Sequence, residues 1–232
     1  MRANVLAVLT FLVLSISCEK SINKVNNKNL IKMNKMEQKA DYRKFVPFIL
    51  RWEGGVSDNA ADNGGLTHKG VTYTTYNSLC KTVLKKDPYT EHFLRLTDEE
   101  VGLFVKYFWD KSTNNNQIAS QKIAETITSW FWGSGKLGLM WYQQMLNKEF
   151  DCKLVVDGII GRASIEAINS IDADSLFRMS IKYRYDRFHQ ICRQNPSQKV
   201  FLKGWLNRLR DFAERHGELD FYNGLFKTTL HT

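Results

Sequence analysis

Proline is nearly absent from this chain: three in 232 residues, at Pro47, Pro88 and Pro196. A long proline-rich linker is thereby excluded, and each proline reads instead as local punctuation. Cysteine is sparse as well, at Cys18, Cys80, Cys152 and Cys192. No CxxC pair and no His/Cys cluster occurs, and the five histidines are scattered, so no metal site and no cofactor is expected. Long apolar runs are missing too. The stretch from Val5 to Leu14 holds roughly ten residues, too few to span a bilayer comfortably. The signature of disorder is equally lacking, because 43% hydrophobic and 12% aromatic residues can bury a proper core.

What is present begins with charge. The formal balance is +9, which favours a polyanionic partner: nucleic acid, anionic lipid or an acidic wall polymer. Charge alone does not choose among them. The length suits one large domain or two small ones.

The chain is organised around the stretch from Trp52 to Thr72. Apolar residues at helical spacing (Phe45, Phe48, Ile49, Trp52) end at Glu53, and Gly54 and Gly55 follow at once. Paired glycines stop helices because they reach left-handed angles without a Cβ clash. Glu53 is therefore expected at a helix C-terminus, where the dipole disfavours a carboxylate. Such a place, flanked by Trp52, suits a general acid that must hold its proton. Asp58, Asp62, Thr67 and Thr72 follow in a Gly/Asn-rich segment that reads as turns leading into a short hairpin. The same residues also fit a plainer account, with Asp and Asn as turn formers and Glu53 as a solvated helix end.

Glu-Gly-Gly, an Asp after eight intervening residues, then Gly-Gly-x-Thr-x-x-Gly-Val-Thr resembles the signature of glycoside hydrolase family 108. Carried over residue by residue, Glu53 matches that family's catalytic acid. Asp62, Gly64, Gly65, Thr67, Gly70, Val71 and Thr72 match the rest. Val56, the order Asp58-Asn59 and His68 depart from the usual pattern, where an aromatic, Asn-Asp and Asn are common. The order Glu, Asp, Thr is also similar to phage lysozymes, with one residue fewer before the Thr. The resemblance implies a mainly α, lysozyme-like fold with a small β-hairpin beside the catalytic Glu, and an N-acetylmuramidase acting on peptidoglycan. Asp62 is then the candidate electrostatic partner or base and Thr67 the candidate for orienting water. Asp58 and Thr72 are candidate substrate contacts.

Residues 1–18 read as an export signal, with Arg2 at the start, the short apolar run, and Ser15-Ile16-Ser17-Cys18 at the end. A small residue before a cysteine resembles a bacterial lipobox, although Ser15 stands where Leu is usual. Cys18 is thus the expected lipidation site, with ordinary cleavage or an uncleaved anchor as alternatives. Residues 19–40 are Lys/Asn-rich and read as a flexible tether. If Cys18 is lipidated, three cysteines remain. Cys152 with Cys192 is a candidate bridge, and three small buried apolar residues is the other reading.

The remainder is helical in pattern. Pro47 marks a kink or a late start in the first helix. Thr74 or Thr75 is a candidate cap for a helix towards Lys86, ended by Asp87-Pro88. Thr97-Asp98-Glu99-Glu100 is a capping box ahead of an apolar stripe (Val101, Phe104, Val105, Phe108, Trp109) that reads as core. A helix from Gln117 to Trp132 is expected to end at Gly133-Ser134-Gly135, and another to run from Lys136 to Phe150. Trp130, Phe131 and Trp132 are adjacent and cannot share one face, so Trp130 and Trp132 are candidate sugar contacts, with interhelical packing as the alternative. Ile123-Ala124-Glu125 is similar to a stretch of the same family, and Glu125 receives no role. Asp157-Gly158-Ile159-Ile160-Gly161 resembles the turn of peptidoglycan-binding modules, with its residues as turn formers. A long helix from Asp172 or Asp174 to Cys192 and a last one from Phe201 complete the chain. Arg178, Lys182, Arg184 and Arg187 gather on the first of these, a face suited to nucleic acid or to a wall polymer bearing carboxylates. Export disfavours nucleic acid.

The expected organisation is an export signal (1–18), a tether (19–40), a lysozyme-like catalytic domain (41–132) and a helical peptidoglycan-binding-like half (133–232) packed on it. The expected activity is hydrolysis of the β-1,4 bond between N-acetylmuramic acid and N-acetylglucosamine. A lytic transglycosylase using the same Glu53, or a non-catalytic wall-binding lipoprotein, are the alternatives. The expected partners are peptidoglycan glycan strands and, through the lipid anchor, a membrane facing the periplasm or cell surface. A monomer is expected.

Overall fold

A computed structural model describes residues 40–57 and 65–229. The export signal with Cys18, the tether as far as residue 39, Asp58 and Asp62 lie outside the described residues, while Ala40, the last residue of the expected tether, is buried.

A short turn at Tyr42–Lys44, capped by Asp41, leads into α1 (Val46–Trp52). Pro47 sits in the first turn of α1, where its missing N–H is no loss, so it marks a late start rather than a kink. The helix stops at Glu53, which turns to extended backbone (φ −93, ψ 117). Three two-residue strands follow, β1 (Val56–Ser57), β2 (Thr67–His68) and β3 (Val71–Thr72), in an antiparallel sheet ordered β1-β2-β3. Thr67 pairs with Thr72 and His68 with Val71. Between them Lys69 and Gly70 both take positive φ (48 and 77), the two-residue turn whose twist matches the strands. The expected hairpin is there, with β1 added as a third strand.

Thr72 ends β3 and caps α2 (Tyr73–Leu84), its hydroxyl accepting from Thr75 N–H at 3.1 Å. The cap falls before Thr74 because Thr72 is the last residue in extended backbone. Lys85, left-handed at φ 60, stops α2 ahead of Asp87-Pro88. After α3 (Thr90–Phe93) comes α4 (Asp98–Tyr107), with both bonds of the Thr97/Glu100 capping box formed. Val101, Phe104 and Val105 are buried behind it, and so is Trp109 in the wider turn that follows.

Helix α5 (Gln121–Phe150) runs through the expected boundary at residues 132 and 133. Its helical backbone is interrupted at Gly135 (φ 55, ψ −143), a conformation open to glycine alone, so two helical segments meet at a kink where the Gly133-Ser134-Gly135 stop is expected. Then come α6 (Arg162–Ser170), α7 (Ala173–Gln194, capped by Asp172), α8 (Lys199–Arg215) and α9 (Leu219–Thr229). The helix expected to be last is thus followed by another.

Two apolar clusters hold these elements. The smaller one lies by the sheet, around Val71, Tyr76, Phe93, Val101 and Phe104. The larger spans α1, α5, α7 and α8, and Phe212 is one of its junctions. Its ring lies 5.2 Å from Phe48, 6.1 Å from Phe45 and 5.6 Å from Phe177. Full burial of one such ring is worth about 1.5–3 kcal/mol. These contacts seat α8 against α1, which brings residues near 208 beside residue 53. Trp132 packs on both clusters. The three described cysteines are free thiols, with Cys80 and Cys192 buried. The Cys152–Cys192 bridge does not form, and two of the three behave as small apolar residues.

Candidate active site

Glu53 reaches its place because α1 ends there. Its N–H still bonds back to Ile49 O at 3.1 Å, while its side chain leaves the helix axis. The carboxyl group lies against the tip of the β2–β3 hairpin. A Cβ at Gly70 would stand 2.5 Å from Glu53 Cδ, so only a glycine lets the turn and the acid approach this closely.

Two donors meet on one carboxyl oxygen. Trp132 Nε1–H donates to Glu53 Oε1 at 3.0 Å, and Arg208 Nη1 donates to the same oxygen at 2.5 Å. Among the described residues Oε2 has no hydrogen-bond partner. Glu53 and Arg208 retain only 15% and 22% side-chain exposure, so this ion pair is shielded from much of the solvent. The sequence pattern places a negatively poled helix end beside the acid; the fold adds a guanidinium from 155 residues away. The end of α1 is tied to α8 a second time. Asp211 Oδ2 accepts from Trp52 Nε1 at 2.5 Å, and its Oδ1 pairs with Arg51 at 2.9 Å.

Behind Arg208 lies a second guanidinium. Arg184 donates to Ser129 Oγ at 2.9 Å and to Ser129 O at 3.1 Å, and sits over the rings of Trp130 and Phe188. Burial, and then the charge of Arg208, push its pKa below the usual arginine range. Among the described residues, Nε and Nη2 of Arg208 are buried without a partner. The local surplus of positive charge makes Glu53 the main compensation Arg208 has.

Glu53, Thr67, Gly70 and Thr72 line one side of a cleft of about 720 Å³. Trp132 and Trp141 from α5, Phe188 from α7, and Trp205 and Arg208 from α8 line the rest. This is the size and make-up of a ligand site, apolar walls with a few converging polar groups.

Of the residues singled out in the sequence, Glu53, Thr67, Thr72 and Trp132 come together here. Thr67 Oγ1 donates to Gly65 O at 3.0 Å, and Thr72 is engaged as the cap of α2. Trp130 does not join them. It is 3% exposed, edge-on to Tyr142 and stacked on Tyr183, so it belongs to the core. Two residues along a helix turn a side chain by more than half a circle, which separates Trp130 from Trp132. Asp58 and Asp62 lie outside the described residues. His68 is buried, its Nδ1 2.7 Å from Phe93 O, and serves the hairpin. Asp157 accepts from Ile159 N–H and from Gln143, as a turn former should. Sequence reasoning missed Arg208, Trp205, Phe188 and Trp141, whose only local signal was an aromatic, basic helix face.

Residues 46–152 match the family model described as Glycosyl hydrolase 108, and residues 137–210 match the one described as Predicted Peptidoglycan domain. No curated protein matches the chain. Among solved structures, "Structure of Brucella abortus SagA" aligns with a TM-score of 0.58 and 19% identity, over 78% of this chain and 95% of that one. At that identity the likeness is one of fold.

Proposed function

We propose that the chain is a peptidoglycan hydrolase of the glycosyl hydrolase 108 kind, a reading supported by the family matches over residues 46–152 and 137–210, and that it cleaves the β-1,4 bond between N-acetylmuramic acid and N-acetylglucosamine, with Glu53 as general acid. The observation that carries this proposal is the asymmetry of the Glu53 carboxyl group. Trp132 and Arg208 both hold Oε1, which leaves Oε2 to carry the proton. Protonated Oε2 donates to the glycosidic oxygen as the C1–O bond breaks. The carboxylate left behind is met at once by the Arg208 and Trp132 donors, which are already in place and need no reorganisation. The sugar that becomes cationic at C1 requires negative charge or a positioned water on its other face. Asp62 is the proposed source of that charge or base, and Thr67 the proposed guide for the water.

Mass spectrometry of borohydride-reduced products from treated peptidoglycan tests this. Reduced muramic-acid ends that vanish with Glu53→Gln are the expected result. Anhydro ends would make the enzyme a lytic transglycosylase, and full activity in Glu53→Gln would remove the acid assignment.

We further propose export and lipid anchoring through Cys18, on the strength of the N-terminal sequence. Cells expressing the full chain are expected to label it with palmitate, and Cys18→Ala is expected to abolish the label.

A further inference from the structure

We infer that the C-terminal half forms the saccharide-binding wall of the catalytic cleft, with Trp205 stacked beside Phe188 as the platform for one sugar ring. The inference rests on the reading of Glu53 as the acid that defines this cleft. A separate anchoring module would carry its ligand surface away from the acid. Here the aromatic residues of α7 and α8 open into the same cavity as Glu53.

Trp205 precedes Arg208 by three positions on α8, so the two lie on neighbouring parts of one helix face. The residue that grips the acid and the ring that lines the cleft are therefore held by the same element. Trp205 is stacked on Phe201, outside the cleft lining, at 5.9 Å and 23°, and Phe188, tilted by 32° at 5.2 Å, lines the cleft beside it. Such backing fixes the ring in orientation, and both Trp205 and Phe188 are left only half-buried. A pyranose ring presents a face of C–H groups that buries well against an aromatic plane, while its hydroxyl and acetamido groups need hydrogen bonds at the edge. The edge of this platform is supplied by Gln194 and Asn195, exposed at the end of α7 and lining the same cleft. Asn195 Oδ1 is taken by Ser197 N–H and Ser197 Oγ, which leaves its amide N–H groups to donate. An N-acetyl sugar offers the matching carbonyl acceptor.

The test is a comparison of Trp205→Ala with the unaltered chain on two substrates: short soluble peptidoglycan oligosaccharides and intact sacculi. Binding is measured in a Glu53→Gln background, and KM in the active enzyme. Loss of one stacked ring is expected to weaken both Kd and KM by about tenfold on the short oligosaccharides as well as on sacculi. Normal KM on the short substrate with weaker sedimentation on sacculi would make the C-terminal half a remote anchor and overturn the inference. Unchanged values on both would overturn it as well. Should Trp205→Ala fail to fold, Trp205→Phe against Trp205→Leu decides: the ring-bearing variant is expected to bind near normally and the leucine variant weakly, and equal Kd values would sink the platform. If Glu53→Gln retains activity, the acid assignment falls, while the Kd comparison still tests the wall.

Discussion

Glu53 packs directly against Gly70, and their fit is a matter of single atoms. Gly70 holds a positive φ of 77, and the Cβ of any other residue would lie 2.5 Å from Glu53 Cδ. Gly70→Ala is expected to push the carboxyl group off its two donors. A displacement near 1 Å is enough to lower kcat by about 10²-fold. The left-handed backbone adds a stability cost on the order of 1 kcal/mol. Steady-state kinetics beside urea unfolding separate the two effects, and a normal kcat would show that the hairpin tip does not position the acid. Trp132 and Trp130 make the complementary point. Two positions apart on one helix, one donates to the acid and the other fills the core.

Helix α5 is the element on which the cleft turns. Trp132 lies before its kink and Trp141 after it, and both reach the same cavity. The bend depends on Gly135 at φ 55 and ψ −143, a conformation that costs other residues about 1–3 kcal/mol. Just beyond it, Gly138 lets the turn close on Trp130 O, where a Cβ would stand 2.3 Å away. Gly135→Ala is expected to lower stability by about 1–3 kcal/mol and to raise KM, because straightening α5 parts the two tryptophans. Denaturant midpoints and KM on soluble oligosaccharides check both effects. A variant with lower stability but unaltered KM would mean that the kink serves packing alone.

Across the whole molecule, the start of the described chain is locked to its far end through Glu125. This residue is fully buried. It accepts from Gln121 at 2.8 Å, from Arg215 at 2.9 and 3.1 Å, and from His216 at 3.0 Å. Gln121 also bonds Asp41, and Arg215 bonds Lys44 O, so α5 and α8 meet the entry to α1 at one point. Burial alone would raise the Glu125 pKa, but the hydrogen bonds from His216, Arg215 and Gln121 outweigh it and hold the group at about 2, against an ordinary 4.5. A lowered carboxylate stabilises the fold above its unfolded value and loses that contribution as pH falls. Stability is therefore expected to decline between about pH 4.5 and 2, by an amount on the order of 3 kcal/mol. Glu125→Gln is expected to be less stable at neutral pH and to lose most of that acid-side decline. Urea midpoints across the pH range measure it, and an unchanged acid limb would show that the network contributes little.

By itself the sequence determined what is encoded over one or two turns of chain. Glu53 stops a helix because two glycines follow, a short hairpin follows the Gly/Asn-rich segment, and Thr97 with Glu100 caps α4. These choices depend on neighbours within a few positions, so spacing reveals them. The burial of Trp130, the absence of a Cys152–Cys192 bridge, the guanidinium on Glu53 and the aromatic wall of the cleft were decided by the tertiary structure alone. Arg208 and Trp132 stand 155 and 79 residues from the acid they hold. Helical periodicity marks which face of α8 is apolar, but which helix meets that face is settled by packing around Phe212. Glu125 received no role for the same reason: its partners Arg215 and His216 lie 90 and 91 residues away. A buried charge becomes intelligible only when the groups that compensate it are brought within hydrogen-bond reach by the rest of the fold.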